Sequence, residues 1–576
     1  MSAEDGVREA DPANPVVALA EAWLAQDPDG ETRAELRDVI AAAEGGDAAA
    51  LADLADRFAA RLEFGTAGLR GELGAGSNRM NRVLVAQAAA GLAAYVLEKR
   101  GGTPEDAEPP TIVVGYDGRR NSHVFAQDSA EIFAGAGLRA ILLPRLLPTP
   151  VLAYAVRHLG AAAGVMVTAS HNPPNDNGYK VYLGGADEGS QIVSPADAEI
   201  AAHIERVAAD GDIAALPRSL GYEIAPETIV DDYVAATAAV APAPAGAAGL
   251  TWVYTAMHGV GWETLSRILE AAGYPAPEPV VDQLEPDGAF PTVAFPNPEE
   301  PGAMDLSFAR AREVGAELVI ANDPDADRLA VAVPDDAAPD GWRRLTGNQI
   351  GLLLGWRAAR LTAERGAPEG ASLACSLVSS PGLEAVADHY GLDFHSTLTG
   401  FKWISRAPGI VFGFEEALGY LVNPETVRDK DGISAAVAML GMVAEARGRG
   451  ASLADLLAEF DSTFGAFASD QVSVRVDDVS TIASIMAALR AEHPSAVGGV
   501  AVDRVDDLLE GVGDLPPGDV LRLWLADGSR VIVRPSGTEP KLKLYLDVRG
   551  DSAEDAAARI ARLVTGARDL LDAIGS

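Results

Sequence analysis

A continuous apolar run, residues 161–167, ends abruptly at a loop that a helix or strand could not continue through. The run has the length and composition of a buried strand, and the next residues, Thr168–Lys180, are rich in Asn, Pro, Asp and Gly. Open α/β sheets bind ligands at the carboxyl ends of their strands. This serine loop therefore places the hydroxyl of Ser170 where a ligand would bind, although a lone copy could equally be a polar turn.

Length and charge restrict the class of protein. At 576 residues, the chain is long enough for about three to five domains. It carries 84 acidic and 45 basic residues, a formal charge of -39, which repels nucleic acid and anionic lipid. We therefore expect no nucleic-acid or membrane partner. A phosphorylated substrate would need a locally basic cleft.

Targeting signals and cysteine chemistry are not expected. Met1–Ala10 is acidic and lacks the apolar segment of a secretory signal, and no uninterrupted apolar stretch reaches about 18 residues. We expect a cytoplasmic protein, and no obligate protein partner is evident. Cys375 is the single cysteine, in an apolar segment, so it predicts an inert buried thiol and no internal disulfide.

Strand and helix patterns alternate over most of the chain, which predicts α/β units with a mixed, largely parallel sheet and helices on both faces. Residues 15–62 are typical of two or three amphipathic helices. Near the C-terminus, residues 520–525 and 530–533 flank a turn, a strand follows at 542–548, and a helix is expected over Ala553–Ile574. That last region is therefore α+β.

Three carboxylates stand at alternate positions between two apolar strands, in the aspartate loop Asp323–Arg328. Asp323, Asp325 and Asp327 can converge on one hard divalent cation. An EF-hand is excluded, because its sixth position needs Gly and its twelfth needs Glu. A solvated acidic turn is the other interpretation, but it does not explain why three like charges lie together beside an arginine.

Further loops carry polar or basic residues. The segment Glu63–Gly71 surrounds Arg70 with glycines and could be a turn or an anion cradle. The glutamate loop Gly413–Tyr420 could accept two sugar hydroxyls, or could simply lie on the surface. The arginine loop Arg534–Lys543 offers a guanidinium, hydroxyls and backbone N–H groups suited to phosphate. Arg119 could contact phosphate, but an ion pair with Asp117 or a solvated loop is the favoured interpretation.

Five loops resemble those of the α-D-phosphohexomutase superfamily and occur in that family's order along the chain. They are the Arg70 segment and the serine, aspartate, glutamate and arginine loops. This resemblance implies a four-domain architecture of three similar mixed α/β domains and a C-terminal α+β domain around a central cleft. We place domain I at residues 1–214, with the N-terminal helices and serine loop. Domain II at 215–335 holds the aspartate loop, domain III at 336–455 the glutamate loop, and domain IV at 456–576 the arginine loop.

The resemblance also implies roles for particular residues. Ser170 would carry a phosphoryl group as the nucleophile, and the other catalytic residues would be His171, Lys180 and Arg70. A Mg²⁺ ion would be bound by Ser170 and the three aspartates. Substrate would be bound by Arg328, Thr399, Gly400, Lys402, Glu415, Arg534, Ser536, Gly537, Thr538 and Lys543.

The implied activity is that of a phosphoglucomutase. It would interconvert glucose 1-phosphate and glucose 6-phosphate through a phosphoserine and glucose 1,6-bisphosphate, which would also be the activator. Glu415 would read hydroxyls on C3 and C4, where glucose and mannose agree. Many relatives have Ser where this chain has Ala417, so phosphomannomutase or phosphopentomutase activity by the same mechanism stays open. The glutamate loop and the N-terminal helices look like the long-chain branch with bacterial phosphoglucomutases and eukaryotic phosphopentomutases.

Two other classes use the same residues differently. A metal-dependent phosphohydrolase would transfer the phosphoryl group to water and release inorganic phosphate. A sugar-phosphate sensor would bind without turnover, and its Ser170 would not be phosphorylated. The intact set of Ser170, Lys180 and three aspartates favours an enzyme over a sensor.

Overall fold

The computed structural model describes residues 14–65, 68–101, 108–476, 479–513, 515–535 and 541–575. Within these residues the chain forms four sheets with associated helices, which we call the first to fourth units. Three are mixed α/β layers and the fourth is α+β, as expected for the fold class.

Three short helices open the described chain, as the sequence predicted. They are α1 (Pro15–Gln26), α2 (Gly30–Glu44) and α3 (Ala48–Phe58). Each begins at a side-chain cap, since Asn14, Asp29 and Asp47 accept hydrogen bonds from N–H groups of the first turn. Their apolar faces pack on the first unit through buried residues such as Leu36 and Leu54.

The first unit contains a seven-stranded sheet in the order β1-β5-β4-β2-β3-β7, with β6 paired to β5. Its elements are β1 (Leu69–Glu72), α4 (Arg82–Lys99), β2 (Thr111–Tyr116), α5 (Ser122–Gly135), β3 (Arg139–Leu142), α6 (Thr149–His158), β4 (Ala163–Val167), β5 (Asp176–Leu183), β6 (Ser190–Gln191), α7 (Ala196–Ala209) and β7 (Glu223–Ile224). Because β7 pairs with β3, the first sheet extends beyond residue 214, where we placed the end of domain I.

The central strands of this sheet are buried on both faces. In β2, Ile112 and Val114 contact a core shared with α4 and α5, whereas Val113 contacts the core that continues into the second and third units. Alternate side chains of a strand point to opposite faces. The apolar run in β2 therefore reflects burial on both sides, which is typical of parallel strands covered by helices.

The second and third units repeat this plan with fewer strands. The second has the order β12-β11-β10-β8-β9 and the third β14-β13-β15-β16. The elements of the second are α8 (Thr228–Ala238), β8 (Trp252–Thr255), α9 (Gly261–Ala272), β9 (Glu278–Pro279), α10 (Asp305–Val314), β10 (Leu318–Asn322), β11 (Leu329–Pro334) and β12 (Trp342–Arg344). Those of the third are α11 (Gly347–Glu364), β13 (Ser372–Ser376), α12 (Gly382–Tyr390), β14 (Asp393–Thr397), α13 (Phe401–Ile404), β15 (Ile410–Glu415), β16 (Gly419–Leu421), α14 (Gly432–Gly448) and α15 (Leu453–Phe464).

The fourth unit is an antiparallel sheet in the order β17-β22-β21-β20-β19-β18. Its elements are β17 (Ala466–Arg475), α16 (Val479–Ala491), β18 (Ala496–Val497), β19 (Val500–Asp507), β20 (Leu521–Leu525), β21 (Arg530–Pro535), β22 (Lys541–Gly550) and α17 (Ala553–Gly575). The expected hairpin, following strand and terminal helix are confirmed. An apolar cluster that includes Val378 and Ile532 joins this unit to the third.

Three functional loops occupy the same topological position. In the first unit β4 is parallel to β2 and antiparallel to β5, and the serine loop connects β4 to β5. In the second unit the aspartate loop connects β10 to β11 in the same way. In the third unit the glutamate loop connects β15 to β16. Each loop therefore follows the carboxyl end of a parallel strand, where the chain turns back antiparallel.

Two minor expectations can be compared with the structure. Cys375 is buried, and burial raises the pKa of its thiol to about 12, as expected of an inert side chain. Among the described residues, no helix is long and apolar enough to cross a membrane.

One close contact gives a test of how the second unit shapes its loop. A Cβ atom at Gly259 would lie 2.3 Å from the Cα and carbonyl oxygen of Pro324. We expect Gly259→Ala to displace the aspartate loop and to lower the free energy of unfolding by about 1–3 kcal/mol, measured by urea denaturation. Gly30→Ala is the matched control, because a Cβ there meets no atom within 4 Å. Equal stability of the two variants would contradict the steric argument.

Candidate active site

The serine loop presents Ser170 in a backbone conformation that side chains rarely adopt. Ser170 has φ of +52°, which costs roughly 1–2 kcal/mol for a residue with a Cβ. Its N–H donates to Thr168 Oγ1 at 2.9 Å. At Gly178 a Cβ would lie 2.6 Å from the carbonyl oxygen of Thr168. The following strand β5 can therefore pack this closely against Thr168 only because residue 178 is glycine. Together these contacts turn the Ser170 hydroxyl toward the second unit.

The aspartate loop meets this hydroxyl. Ser170 Oγ donates to Asp323 Oδ2 at 2.9 Å. Asp323, Asp325 and Asp327 are fully buried, and one ligand atom from each lies within 4.8 Å of the others. Thus two residues 153 positions apart in the sequence form one site at the junction of two sheets.

Cations surround the three carboxylates. Lys180 Nζ donates to Asp325 Oδ2 at 2.6 Å and to Asp327 Oδ2 at 2.8 Å, and Lys430 Nζ lies 3.4 Å from Asp327 Oδ2. Burial raises the pKa of Asp323, and the charge of Asp327 raises it further. For Asp327, burial acts upward, but Lys180, Lys430 and Arg328 hold the pKa below its usual range. The site is thus charged and balanced by cations from different units.

The donor set fits a divalent cation. The three carboxylates supply the oxygen ligands that Mg²⁺ prefers. Asp325 Oδ2 accepts from Thr149 Oγ1 at 2.6 Å as well as from Lys180, whereas Asp325 Oδ1 is buried without a hydrogen-bond partner. A buried carboxylate oxygen without a partner is unfavourable. It is the atom that a bound cation would satisfy.

Arg328 connects the aspartate loop to the glutamate loop. Its Nε lies 3.3 Å from Asp327 Oδ1, and its Nη1 lies 3.3 Å from Glu415 Oε1 and donates to the carbonyl oxygen of Ala417. Burial raises the pKa of the Glu415 carboxyl, whereas the charge of Arg328 lowers it. Burial has the larger effect, so the pKa is raised. Glu416 is held separately, by the hydroxyls of Ser376 and Ser379.

His171 and Arg70 lie at the edge of the site. His171 Nδ1 is 3.4 Å from Ser170 Oγ, and burial, with Arg328 and Arg70 nearby, lowers its pKa to about 3. The imidazole is therefore neutral at neutral pH in this arrangement. Arg70 donates to Asn172 Oδ1 at 3.3 Å. Lys180, in contrast, stays protonated, because Asp325 and Asp327 outweigh its burial and raise its pKa.

Arg70, His171 and Arg328 line a cleft of about 1230 Å³, whereas Ser170, Lys180, Glu415 and the three aspartates lie outside its lining. Its lining includes residues from all four units: Arg70, His171, Glu299, Arg328, Arg344, Glu416, Gln471, Lys543 and Tyr545. The lining carries five basic side chains, which can pair with an anionic substrate, but also six acidic ones, so the cleft is not basic as a whole. The basic residues are Arg70, Arg328, Arg344, Lys541 and Lys543, and the acidic residues are Glu63, Asp176, Glu299, Glu300, Glu416 and Asp470.

Some predicted substrate residues are placed elsewhere. Of the predicted substrate residues that the structure describes, Arg328 and Lys543 line this cleft. The others lie outside its lining: Thr399, Gly400, Lys402, Glu415 and Arg534. Gly400 has φ of +109° at the start of α13, and Lys402 Nζ contacts the ring of Trp403. Arg534 lies on β21 opposite Lys543. Ser536, Gly537 and Thr538 fall outside the described residues.

Sequence reasoning missed three side chains of the site. Thr149 starts a helix directly after a Pro-rich turn and reaches Asp325 from there. Lys430 lies between β16 and α14, and its amine lies near Asp327. Arg119 is buried beneath the serine loop. A basic residue beside a carboxylate was the available signal for both cations, but it did not indicate which unit they would contact.

Comparison with known proteins places these features in a family context. Family models described as phosphoglucomutase/phosphomannomutase, alpha/beta/alpha domains I, II and III, match residues 61–210, 231–336 and 346–463. The C-terminal domain model of the same family matches residues 472–564.

Similar proteins cover nearly the whole chain. A probable phosphomannomutase of Haemophilus influenzae is 54% identical over 86% of this chain and 99% of its own. A phosphopentomutase of Mus musculus is 34% identical over 91% and 89%, and a phosphoglucomutase of Staphylococcus epidermidis 33% over 87% and 93%. The crystal structure of a putative phosphomannomutase from Thermus thermophilus covers 89% of this chain and 99% of that one, with a TM-score of 0.66 and 25% identity.

The charge balance of the site predicts a metal-dependent effect of Lys180. Without metal, Lys180→Met leaves Asp325 and Asp327 without their closest cation. We expect it to lower the free energy of unfolding by about 3–5 kcal/mol in EDTA. Mg²⁺ should restore a large part of this loss, because a bound cation replaces the missing charge.

Urea denaturation of wild type and variant, each with EDTA and with Mg²⁺, measures both effects. Lys99→Met serves as control, since Lys99 is half exposed and pairs with Glu199 on the surface, and the stability of this variant should equal that of wild type both in EDTA and with Mg²⁺. Wild-type stability of Lys180→Met in EDTA would contradict the expected role.

Proposed function

The chain belongs to the phosphoglucomutase/phosphomannomutase family, and we propose that it interconverts glucose 1-phosphate and glucose 6-phosphate through a phosphoserine at Ser170. One observation carries the proposal. Ser170 Oγ lies 2.9 Å from Asp323 within a buried trio of carboxylates, and Lys180 contacts the other two. A nucleophile, a cation site and a fixed cation thus meet at one hydroxyl.

Phosphoryl transfer would proceed in two half-reactions, both at Ser170. In the first half-reaction a free hydroxyl of glucose 1-phosphate attacks the phosphorus on Ser170. The new O–P bond forms as the Ser170 O–P bond breaks, giving glucose 1,6-bisphosphate. After the bisphosphate turns end for end, Ser170 Oγ takes the phosphoryl group from C1 and glucose 6-phosphate leaves. The same enzyme form is regenerated, so glucose 1,6-bisphosphate can also phosphorylate an unmodified Ser170 as activator.

Mg²⁺ would be held by Asp323, Asp325, Asp327 and the Ser170 oxygen, and it would supply positive charge to the transferring phosphoryl oxygens. Lys180 stays protonated and stabilises the negative charge beside it. Arg70, at the cleft edge, adds a second cation. The proton of the attacking hydroxyl ends on Ser170 Oγ as the O–P bond of the phosphoserine breaks. The neutral His171, whose Nδ1 lies 3.4 Å from Ser170 Oγ, can accept a hydrogen bond there but does not keep the proton, because its pKa is lowered.

The remaining predicted residues hold the sugar. Glu415, whose carboxylate contacts Arg328, would accept hydrogen bonds from the sugar hydroxyls on C3 and C4. Arg534 and Lys543, with Ser536, Gly537 and Thr538, would bind the phosphate that is not reacting. Thr399, Gly400 and Lys402 would bind the sugar from outside the lining of the cleft. Glu416 lines the cleft, and two serine hydroxyls hold its Oε2.

Mannose phosphate is the second candidate substrate. The Haemophilus influenzae relative at 54% identity is named as a probable phosphomannomutase. Glucose and mannose have the same configuration at C3 and C4, so a glutamate that reads those hydroxyls accepts both sugars. Pentose phosphate is a third possibility by the same mechanism, because phosphopentomutases are among the relatives.

The test measures release of glucose 6-phosphate from glucose 1-phosphate, coupled to its dehydrogenase, with Mg²⁺ and a trace of glucose 1,6-bisphosphate. We expect turnover by wild type and a loss of about 10³-fold or more in Ser170→Ala, since the covalent step is removed. Ser484→Ala is the control, because that serine is exposed on α16. Mannose 1-phosphate and ribose 1-phosphate are assayed in parallel.

Each alternative has a distinct result. Turnover of mannose or ribose phosphate with none of glucose phosphate would move the assignment to that sugar. Release of inorganic phosphate in place of an isomer would indicate a phosphohydrolase. Full activity of Ser170→Ala would show that the nucleophile is wrong.

A further inference from the structure

Arg119 lies beneath the serine loop with its side chain 1% exposed. Its Nη2 donates to the carbonyl oxygens of Ser170 at 2.7 Å and Asn172 at 2.6 Å. Its Nη1 donates to those of Pro173 at 2.9 Å and Asp176 at 3.1 Å. One guanidinium therefore binds four carbonyl groups of a single loop. The alternative of a solvated Arg119 is wrong. The expected ion pair with Asp117 is present, at 3.5 Å, and is longer than these hydrogen bonds.

These bonds orient the peptide units of the loop. The carbonyl of Ser170 points to Arg119, while its Oγ points to Asp323. Asn172 N–H and Asp176 N–H are used within the loop, by the carbonyls of Ala169 and Pro173. Since a guanidinium presents its donors in a fixed plane, it can hold these carbonyls in one arrangement. A lysine amine at this position could not hold all four.

The same side chain contacts the second unit. Arg119 Cζ lies 4.9 Å from the ring centre of Phe290, in the segment between β9 and α10. The surrounding backbone is tightly packed, because a Cβ at Gly118 would lie 2.9 Å from Pro286, and one at Gly288 would lie 2.9 Å from the carbonyl oxygen of Gly118. Arg119 thus touches the serine loop and the unit that carries the aspartate loop.

We propose that Arg119 is a positioning residue that holds the serine loop against the second unit, so that Ser170 Oγ is placed at the aspartate loop. Its described hydrogen bonds and ion pair reach neither Ser170 Oγ nor the three carboxylates. It acts through the loop backbone. The proposal rests on the proposed function where it is measured by turnover, and it has a second measurement that does not need turnover.

The variants are Arg119→Lys, which keeps the charge but loses the planar donors, and Arg119→Ala, which leaves a space for free guanidinium. Arg120→Ala is the matched control, because Arg120 is the next residue, is 60% exposed and pairs with Glu31 on the surface. Measurements are kcat and KM with the sugar phosphate that wild type turns over, with and without guanidinium at non-denaturing concentration, and hydrogen exchange of the serine loop.

We expect kcat to fall about 100-fold in both Arg119 variants, the usual cost of a displaced reacting group. KM should change by no more than about 3-fold, since the groups that bind the sugar lie in other units. Guanidinium should restore kcat of Arg119→Ala about 10-fold or more and should not raise that of wild type or Arg120→Ala. If Arg119 only stabilised the fold, the substitutions would lower the folded fraction. They would not lower kcat at a nearly constant KM, and guanidinium would not restore kcat.

Hydrogen exchange separates this proposal from the proposed function. If wild type turns over none of the sugars, the proposed function fails, but faster exchange over Ser170–Asp176 in Arg119→Lys than in Arg120→Ala would still support the role of Arg119. If Arg119→Ala does not fold, Arg119→Lys provides the test. Wild-type kcat and exchange in folded Arg119→Lys, or absence of rescue in folded Arg119→Ala, would overturn the proposal.

Discussion

The mutual repulsion of three buried carboxylates is the interaction on which the rest of the structure depends. Asp323, Asp325 and Asp327 are excluded from water and lie within one cation's reach of each other. Such a cluster is unfavourable unless cations accompany it. Those cations come from three units: Lys180 from the first, Arg328 from the second and Lys430 from the third. The charge balance is complete only when the units are assembled.

The repeated topology explains how these charges meet. Each α/β unit places its functional loop after the strand at which a parallel sheet turns antiparallel. Packing the units with these turns together brings a hydroxyl, three carboxylates and a glutamate into one connected cluster. Two arginines then fix the loops relative to one another. Arg328 fixes the glutamate loop to the aspartate loop, and Arg119 contacts both the serine loop and the second unit.

Much of this could be predicted from the sequence, because the local signals were strong. The apolar strands, their Pro- and Gly-rich stops and the alternate aspartates are local patterns, and they indicated the strands, the loops and the cation site. The long-range contacts of Arg119 and Lys430 could not be predicted. Each is close in sequence to an aspartate, so reasoning from neighbouring residues predicts only an ion pair with that aspartate. In the fold, Arg119 keeps the ion pair with Asp117 and also binds four loop carbonyls. Lys430 likewise contacts Asp429 and also reaches Asp327 in the second unit. Which long-range partner such a cation finds depends on how the units pack.

The replacement at Ala417 shows how backbone contacts can keep a loop in place when a side chain is lost. A serine there would offer a hydroxyl, and alanine does not. The carbonyl of Ala417 nevertheless accepts from Arg328, and Gly419 forms a bridge with the same arginine. The position of Glu415 is therefore set by backbone contacts that do not depend on the side chain at 417. Without a hydroxyl at position 417, the contacts of the loop backbone with Arg328 still hold the glutamate loop in place.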